Sequence, residues 1–143
     1  MKDCECLATM ADTITREQRS HIMASVRSFN TKPELIVRSL LHRMGFRFRL
    51  HRKDLPGRPD ICLPKYRRVI FVHGCFWHGH SCLHGRRPTS NRAFWNKKLD
   101  RNAQRDVAAI RSLRAEGWRS FVVWECQLKS PKLADRLRKF LAA

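Results

Sequence analysis

The longest uninterrupted apolar runs in this chain are short, such as Val69-Ile70-Phe71-Val72 and Phe121-Val122-Val123-Trp124. Neither approaches the roughly 18 residues that a membrane-spanning helix needs. Rich in β-branched and aromatic side chains, they read as buried strands. A chain built around such strands must cover them, and amphipathic helices supply the cover. Thr31 is placed as an N-cap with Pro33 and Glu34 in the first turn, and Leu35, Ile36, Leu40, Leu41 and Met44 follow helical spacing up to Gly45. Residues 93–115 form the longest expected helix, with Trp95, Leu99, Asn102, Ala103, Asp106, Ile110 and Leu113 on one face and Gly117 as its stop. Pro131–Leu141 is a closing amphipathic helix. Phe46–Leu50 alternates with period two, Leu55-Pro56-Gly57-Arg58-Pro59 is a rigid turn, and Asp60–Leu63, Arg68–Val72 and Trp118–Trp124 read as strands. The expectation is one α/β domain over residues 16–143, a mixed central sheet flanked by helices. Residues 1–15 are expected to be a disordered tail with Met10 as a second possible start, and residues 16–29 a basic arm.

Charge narrows the function. The chain of 143 residues carries 30 Lys and Arg against 12 Asp and Glu, a net +18, while 43% hydrophobic residues suffice for a real core. So large an excess on one domain calls for a polyanion, and nucleic acid is the first choice. Arg outnumbers Lys, which suits bidentate phosphate and base-edge contacts. An anionic membrane surface fits less well, because no stretch divides cleanly into a basic and an apolar face. The first residues lack the positive-then-apolar pattern of a secretion signal, so a reducing cytoplasm is expected.

Residues 73–91 form a long Gly-, His- and Cys-rich stretch without apolar periodicity, which needs either a staple or a function. Cys75, His80 and Cys82 are spaced C-x4-H-x-C within it, and Cys126 follows the last strand. Three thiols and one imidazole make a closed tetrahedral site for structural zinc. His78 and His84 compete with His80 as ligands. Cys62 reads as core, and Cys4 and Cys6 as tail residues.

Acids are scarce, so their positions matter. Asp60 stands at the start of a strand, where it could cap a turn or bind Mg2+ for phosphodiester cleavage. Asp106 lies on the apolar face of the long helix, where it could pair with Arg101, Arg105 or Arg111. Glu34 reads as a helix N-terminal charge. His73 and His78 flank the loop, and a neutral imidazole there could accept a proton from water.

Together the blocks Leu55-Pro-Gly-Arg-Pro-Asp60, Val69-Ile-Phe-Val-His-Gly-Cys-Phe-Trp-His78, His80-Ser-Cys82, Phe94-Trp95, Arg105-Asp106, Gly117-Trp118 and Val123-Trp-Glu-Cys126 resemble the very short patch repair endonucleases. The resemblance runs from about Thr15 to Leu128. It implies the restriction-endonuclease-like fold, and a nick in one strand 5′ of the T in a T·G mismatch left by deamination of 5-methylcytosine. It implies Asp60 as the catalytic metal carboxylate and the Val72 carbonyl as a second Mg2+ contact, at a position where the family more familiarly has Thr. His78 matches the general base, with His73 and Asp106 in support. Cys75, His80, Cys82 and Cys126 match the zinc ligands, and Gly79 stands where the family can carry another His. Phe76, Trp77 and Trp95 are implied to wedge into the base stack, with Met23 entering from the other groove. The wider nuclease fold often carries Glu-x-Lys on the strand after its Asp; Ile70–His73 has neither residue.

The partners implied are double-stranded DNA with a T·G mismatch, a companion cytosine-5 DNA methyltransferase, a mismatch-repair protein and a repair polymerase. The chain is expected to work as a bacterial, nucleoid-associated monomer. Two rival readings accompany this one: a restriction- or transposon-type nuclease without mismatch preference, and a zinc module that binds DNA without cutting it.

Overall fold

Thr15 and Gln18 open the first helix, α1 (Arg16–Ser25), with a reciprocal cap. The Thr15 hydroxyl accepts from the Gln18 N–H (3.2 Å) and the Gln18 side chain accepts from the Thr15 N–H (2.9 Å). The structure, a computed structural model, describes residues 15–25 and 30–143. The proposed tail up to residue 14, with Cys4 and Cys6, and residues 26–29 of the proposed arm lie outside the described residues. Met23 sits on α1 with its side chain outside them too.

Helix α2 (Lys32–Arg43) starts where expected, with the Thr31 hydroxyl accepting from the Glu34 N–H. Strands β1 (Arg49–Leu50), β2 (Ile61–Leu63) and β3 (Arg68–His73) then run antiparallel in turn. Helix α3 (Arg92–Ala115) crosses back, so β4 (Arg119–Trp124) lies parallel to β3. Helix α4 (Leu133–Ala142) closes the chain. The sheet order β1-β2-β3-β4 is mixed, as anticipated.

Alternation along the strands explains the layers. Ile61, Leu63, Ile70 and Val123 point to one face and pack against Val37 and Leu41 of α2 and Leu133, Leu137 and Leu141 of α4. Cys62, Val69 and Phe71 point to the other and meet Leu55, Trp118 and Leu113 of α3. Adjacent residues of β2 and β3 thus serve opposite cores, which is why these strands are apolar without interruption.

One expected element is shorter. Phe46–Leu50 was read as a strand, yet only Arg49 and Leu50 pair, opposite Cys62 and Ile61. β2 ends at Pro64, which opens a 3-10 turn and has no N–H for a ladder, so the pairing stops there. Phe46 and Phe48 pack against the first core instead. Among the described residues, no helix is long and apolar enough to cross a membrane.

Candidate active site

Antiparallel pairing of β2 with β3, and parallel pairing of β3 with β4, brings the start of β2 and the carboxyl ends of β3 and β4 to one edge of the sheet. Open α/β sheets bind ligands at such an edge. Asp60, just before β2, receives the Val72 N–H of β3 on Oδ2 at 2.7 Å. Burial, opposed by this N–H but reinforced by the neighbouring Glu34 carboxyl, pushes the Asp60 carboxyl up to about 7. An acid so placed holds a proton near neutrality until a cation displaces it.

Glu34, which the sequence marks as a helix N-terminal charge, has a second setting in the fold. It does cap its helix, accepting the Asn30 N–H at 3.0 Å, but it is only 3% exposed and its carboxylate lies beside Asp60 and His51. Thr31-x-x-Glu34 is a capping pattern, and that role masked the other. His51 was not singled out at all. It sits where the chain leaves β1 with a left-handed φ of 45°, and its N–H donates to the Asp60 carbonyl at 3.3 Å. No local pattern marks it.

His73 ends β3 and His78 lies in the loop that follows, close enough to act on the Asp60 carboxyl. The rings of His73 and His78 stack almost parallel, 3° apart in plane with centroids at 3.7 Å. Asp106 reaches up from α3 to place Oδ2 2.6 Å from His78 Nδ1, so its partner is this imidazole and not one of the arginines considered from sequence. Burial, with the adjacent His78, pushes His73 down to about 4, so its ring is neutral at ordinary pH. The trio His73, His78 and Asp106 is close enough to hold an ion, as is Glu34, His51 and Asp60.

The loop beyond closes on a third cluster. One ligand-type atom from each of Cys75, His80, Cys82 and Cys126 lies within 4.8 Å of the others. A tetrahedral zinc site with bonds of about 2.3 Å has edges of roughly 3.8 Å, so the four donors fit such an ion. His84 is outside this group. Burial pushes the Cys75 and Cys126 thiols up. Burial also acts upward on Cys82, but hydrogen bonds from His80 and Cys75 and from the Gly85 and His84 backbone bring it down to about 6. Of the four candidate donors, Cys82 is the one whose surroundings favour the thiolate. Gly85 lets the loop close: a Cβ there would stand 1.9 Å from the His80 carbonyl oxygen.

The aromatic residues pack beside the Cys/His cluster, in one core group with Cys75 and Cys82. Phe76 and Trp95 are buried, 0% and 2% exposed, and meet edge to face at 5.3 Å. Trp77 is half-buried, packs edge-on against Phe76 at 5.0 Å and carries the Lys98 ammonium over its ring at 5.5 Å. The Asn102 side chain holds the Trp77 carbonyl at 3.1 Å, which explains a polar residue on the apolar face of α3. Trp77 is the ring of the three that reaches solvent, with the other two behind it.

The chain is similar to known nicking and mismatch endonucleases. A type II nicking enzyme of Xanthomonas oryzae is 53% identical over 133 residues, 92% of this chain and 98% of its own. One from Neisseria meningitidis is 44% identical over 133 residues, covering 92% of this chain and 95% of its own length. The DNA mismatch endonuclease Vsr of Escherichia coli is 42% identical over 127 residues, covering 88% and 81%. Residues 11–84 match the family described as DNA mismatch endonuclease Vsr. With this match added to a carboxylate, a histidine pair and a Cys/His cluster at one sheet edge, the chain belongs to the Vsr, or very short patch repair, family of DNA mismatch endonucleases.

Proposed function

We propose that this endonuclease cuts one DNA strand 5′ of the T in a T·G mismatch, using a divalent cation, best Mg2+, at Asp60, and that a structural Zn2+ occupies the Cys75, His80, Cys82 and Cys126 cluster. The observation that carries the reading is the Asp106–His78 contact of 2.6 Å near a half-buried Asp60. Asp60, the Val72 carbonyl and Glu34 offer only oxygen donors, the set a hard cation takes. Such a cation, when bound, polarises the phosphoryl oxygen and favours departure of the sugar oxygen.

The chain's own residues do the rest. Asp106 accepts from Nδ1–H of His78 and so leaves the Nε2 lone pair for a water proton. The water oxygen attacks phosphorus as that proton moves to Nε2, and the bond to the leaving sugar oxygen breaks. His73, neutral and stacked flat on His78, keeps the ring from turning. Trp77, backed by Phe76 and Trp95, acts as a wedge. Unstacking a base step costs a few kcal/mol and is cheapest at a mispair, so wedging turns weak pairing into selectivity. Met23 is proposed to enter from the opposite groove, on an arm spanning residues 16–29. Because such mismatches follow cytosine-5 methylation, a companion methyltransferase, a mismatch-repair protein and a repair polymerase complete the proposed setting, in the bacterial cytoplasm.

The test compares nicking of a T·G duplex with its T·A counterpart, for the native chain and Asp60→Asn. The expected result is nicking of the T·G duplex alone, lost in the variant while binding persists. Equal nicking of both duplexes would favour a nuclease without mismatch preference, and nicking by Asp60→Asn would refute the mechanism.

A further inference from the structure

Glu34, His51 and Asp60 bring one ligand-type atom each within 4.8 Å of one another. A set of two carboxylates and an imidazole suits first-row transition ions at least as well as Mg2+, because nitrogen ligands favour the softer metals. Arg38, one turn after Glu34 on α2, alters that balance. Its Nη2 lies 3.0 Å from Glu34 Oε2 and 2.9 Å from His51 Nε2.

A guanidinium has donors only and stays protonated. At 2.9 Å the His51 Nε2 must therefore be the acceptor, with the ring proton on Nδ1. The 3.4 Å approach of His51 Nε2 to Glu34 Oε2 is then two acceptors sharing one Arg38 nitrogen. The Arg38 side chain is 13% exposed and that of Glu34 3%, so water has little room at their contact, while the His51 side chain is 28% exposed and its contact is the more open of the two. The Nε of Arg38 is buried with no hydrogen-bond partner among the described residues, so the contacts that hold the guanidinium here are those of Nη2. The Asp60–His51 backbone bond brings the ring to this point.

We infer that Arg38 is a metal-selecting positioning residue: by occupying the His51 Nε2 lone pair it leaves the cation at Asp60 with oxygen donors only, and so favours Mg2+ over softer ions. The inference rests on the reading of Asp60 as cation ligand.

Calorimetric titration of the zinc-loaded protein with NiCl2 and with MgCl2 tests it. Arg38→Met frees the imidazole nitrogen, and Ni2+ affinity is expected to rise roughly tenfold or more while that for Mg2+ does not. Adding His51→Gln to that variant should cancel the gain. His51→Gln alone should leave Ni2+ affinity unchanged, because the nitrogen is already engaged. No gain in Arg38→Met, a gain that survives His51→Gln, or weaker Ni2+ binding by His51→Gln alone would each overturn the inference. Should Arg38→Met not fold, His51→Gln decides on its own. Asp60→Asn is the separate control: if it still nicks T·G duplexes, the reading of the site fails whatever the titrations give.

Discussion

In the proposed mechanism a single proton position divides a working His78 from an idle one. With Asp106 as acceptor the proton sits on Nδ1; with an amide there, the amide N–H2 can donate to Nδ1 instead and turn the tautomer round. Asp106→Asn is therefore expected to lower the nicking rate by roughly two to four orders of magnitude with little change in DNA affinity, as single-turnover kinetics beside a binding assay would report. Asp60 and His73 predict opposite pH slopes in the cation-free protein. Asp60, raised to about 7 from 3.8, holds a proton in the fold that the unfolded chain gives up, so its contribution to stability is lost as pH rises from about 4 to about 7. His73, lowered to about 4 from 6.5, stays neutral where the unfolded chain would take a proton, so its contribution is lost as pH falls through the same range. The two offset each other in the native chain. In urea melts between pH 4.5 and 7, Asp60→Asn should become more stable with rising pH and His73→Asn less stable; equal slopes in both variants would contradict this. Asp60, His73, His78 and Asp106 were legible from residue type and rarity. His51 and Arg38 were not, since one follows a two-residue strand and the other looks like any basic residue on a helix.

Turns and loops set how these side chains meet. Gly57, in the Leu55–Pro59 turn, has φ +75°, and a Cβ there would lie 2.5 Å from Ala109 Cβ on α3. Gly57→Ala thus adds a left-handed penalty to a clash against a rigid helix. A loss of about 2–4 kcal/mol in denaturant unfolding is expected, with weaker nicking because Asp60 follows three residues later. Helix stops, caps and the long α3 could be read directly from Thr31, Gly45 and Gly117, because those signals act within one turn of the chain. The start of β1 could not. Its limit is set by Pro64, just past the paired residues of β2, and ladder length is a property of both partners.

Net charge overstates the surface free for DNA. Arg67 donates to the Glu116 carbonyl at 2.6 Å and lies over Trp118 at 4.8 Å. Arg68 is buried and donates to the Phe140 and Tyr66 carbonyls, while Arg87 pairs with Asp100 at 2.6 Å, tying the Cys/His loop to α3. Basic residues thus hold helix ends and the loop as well as facing a polyanion. The exposed remainder still predicts strongly salt-dependent binding. If about six phosphates are contacted, affinity for a T·G duplex should fall roughly a thousandfold between about 50 and 200 mM salt, and a flat response would argue against an electrostatic interface. Local signals were enough to tell from the chain that it is an α/β protein with strands buried on both faces, a basic DNA partner surface and a Cys/His cluster, because burial, helix stops and charge are written into short windows. Which carboxylates share a pocket, which donor takes the His51 nitrogen and which tryptophan reaches solvent followed from packing alone. Each depends on residues far apart in sequence, whose distance is decided only when α2, α3 and the strand ends close on one edge of the sheet.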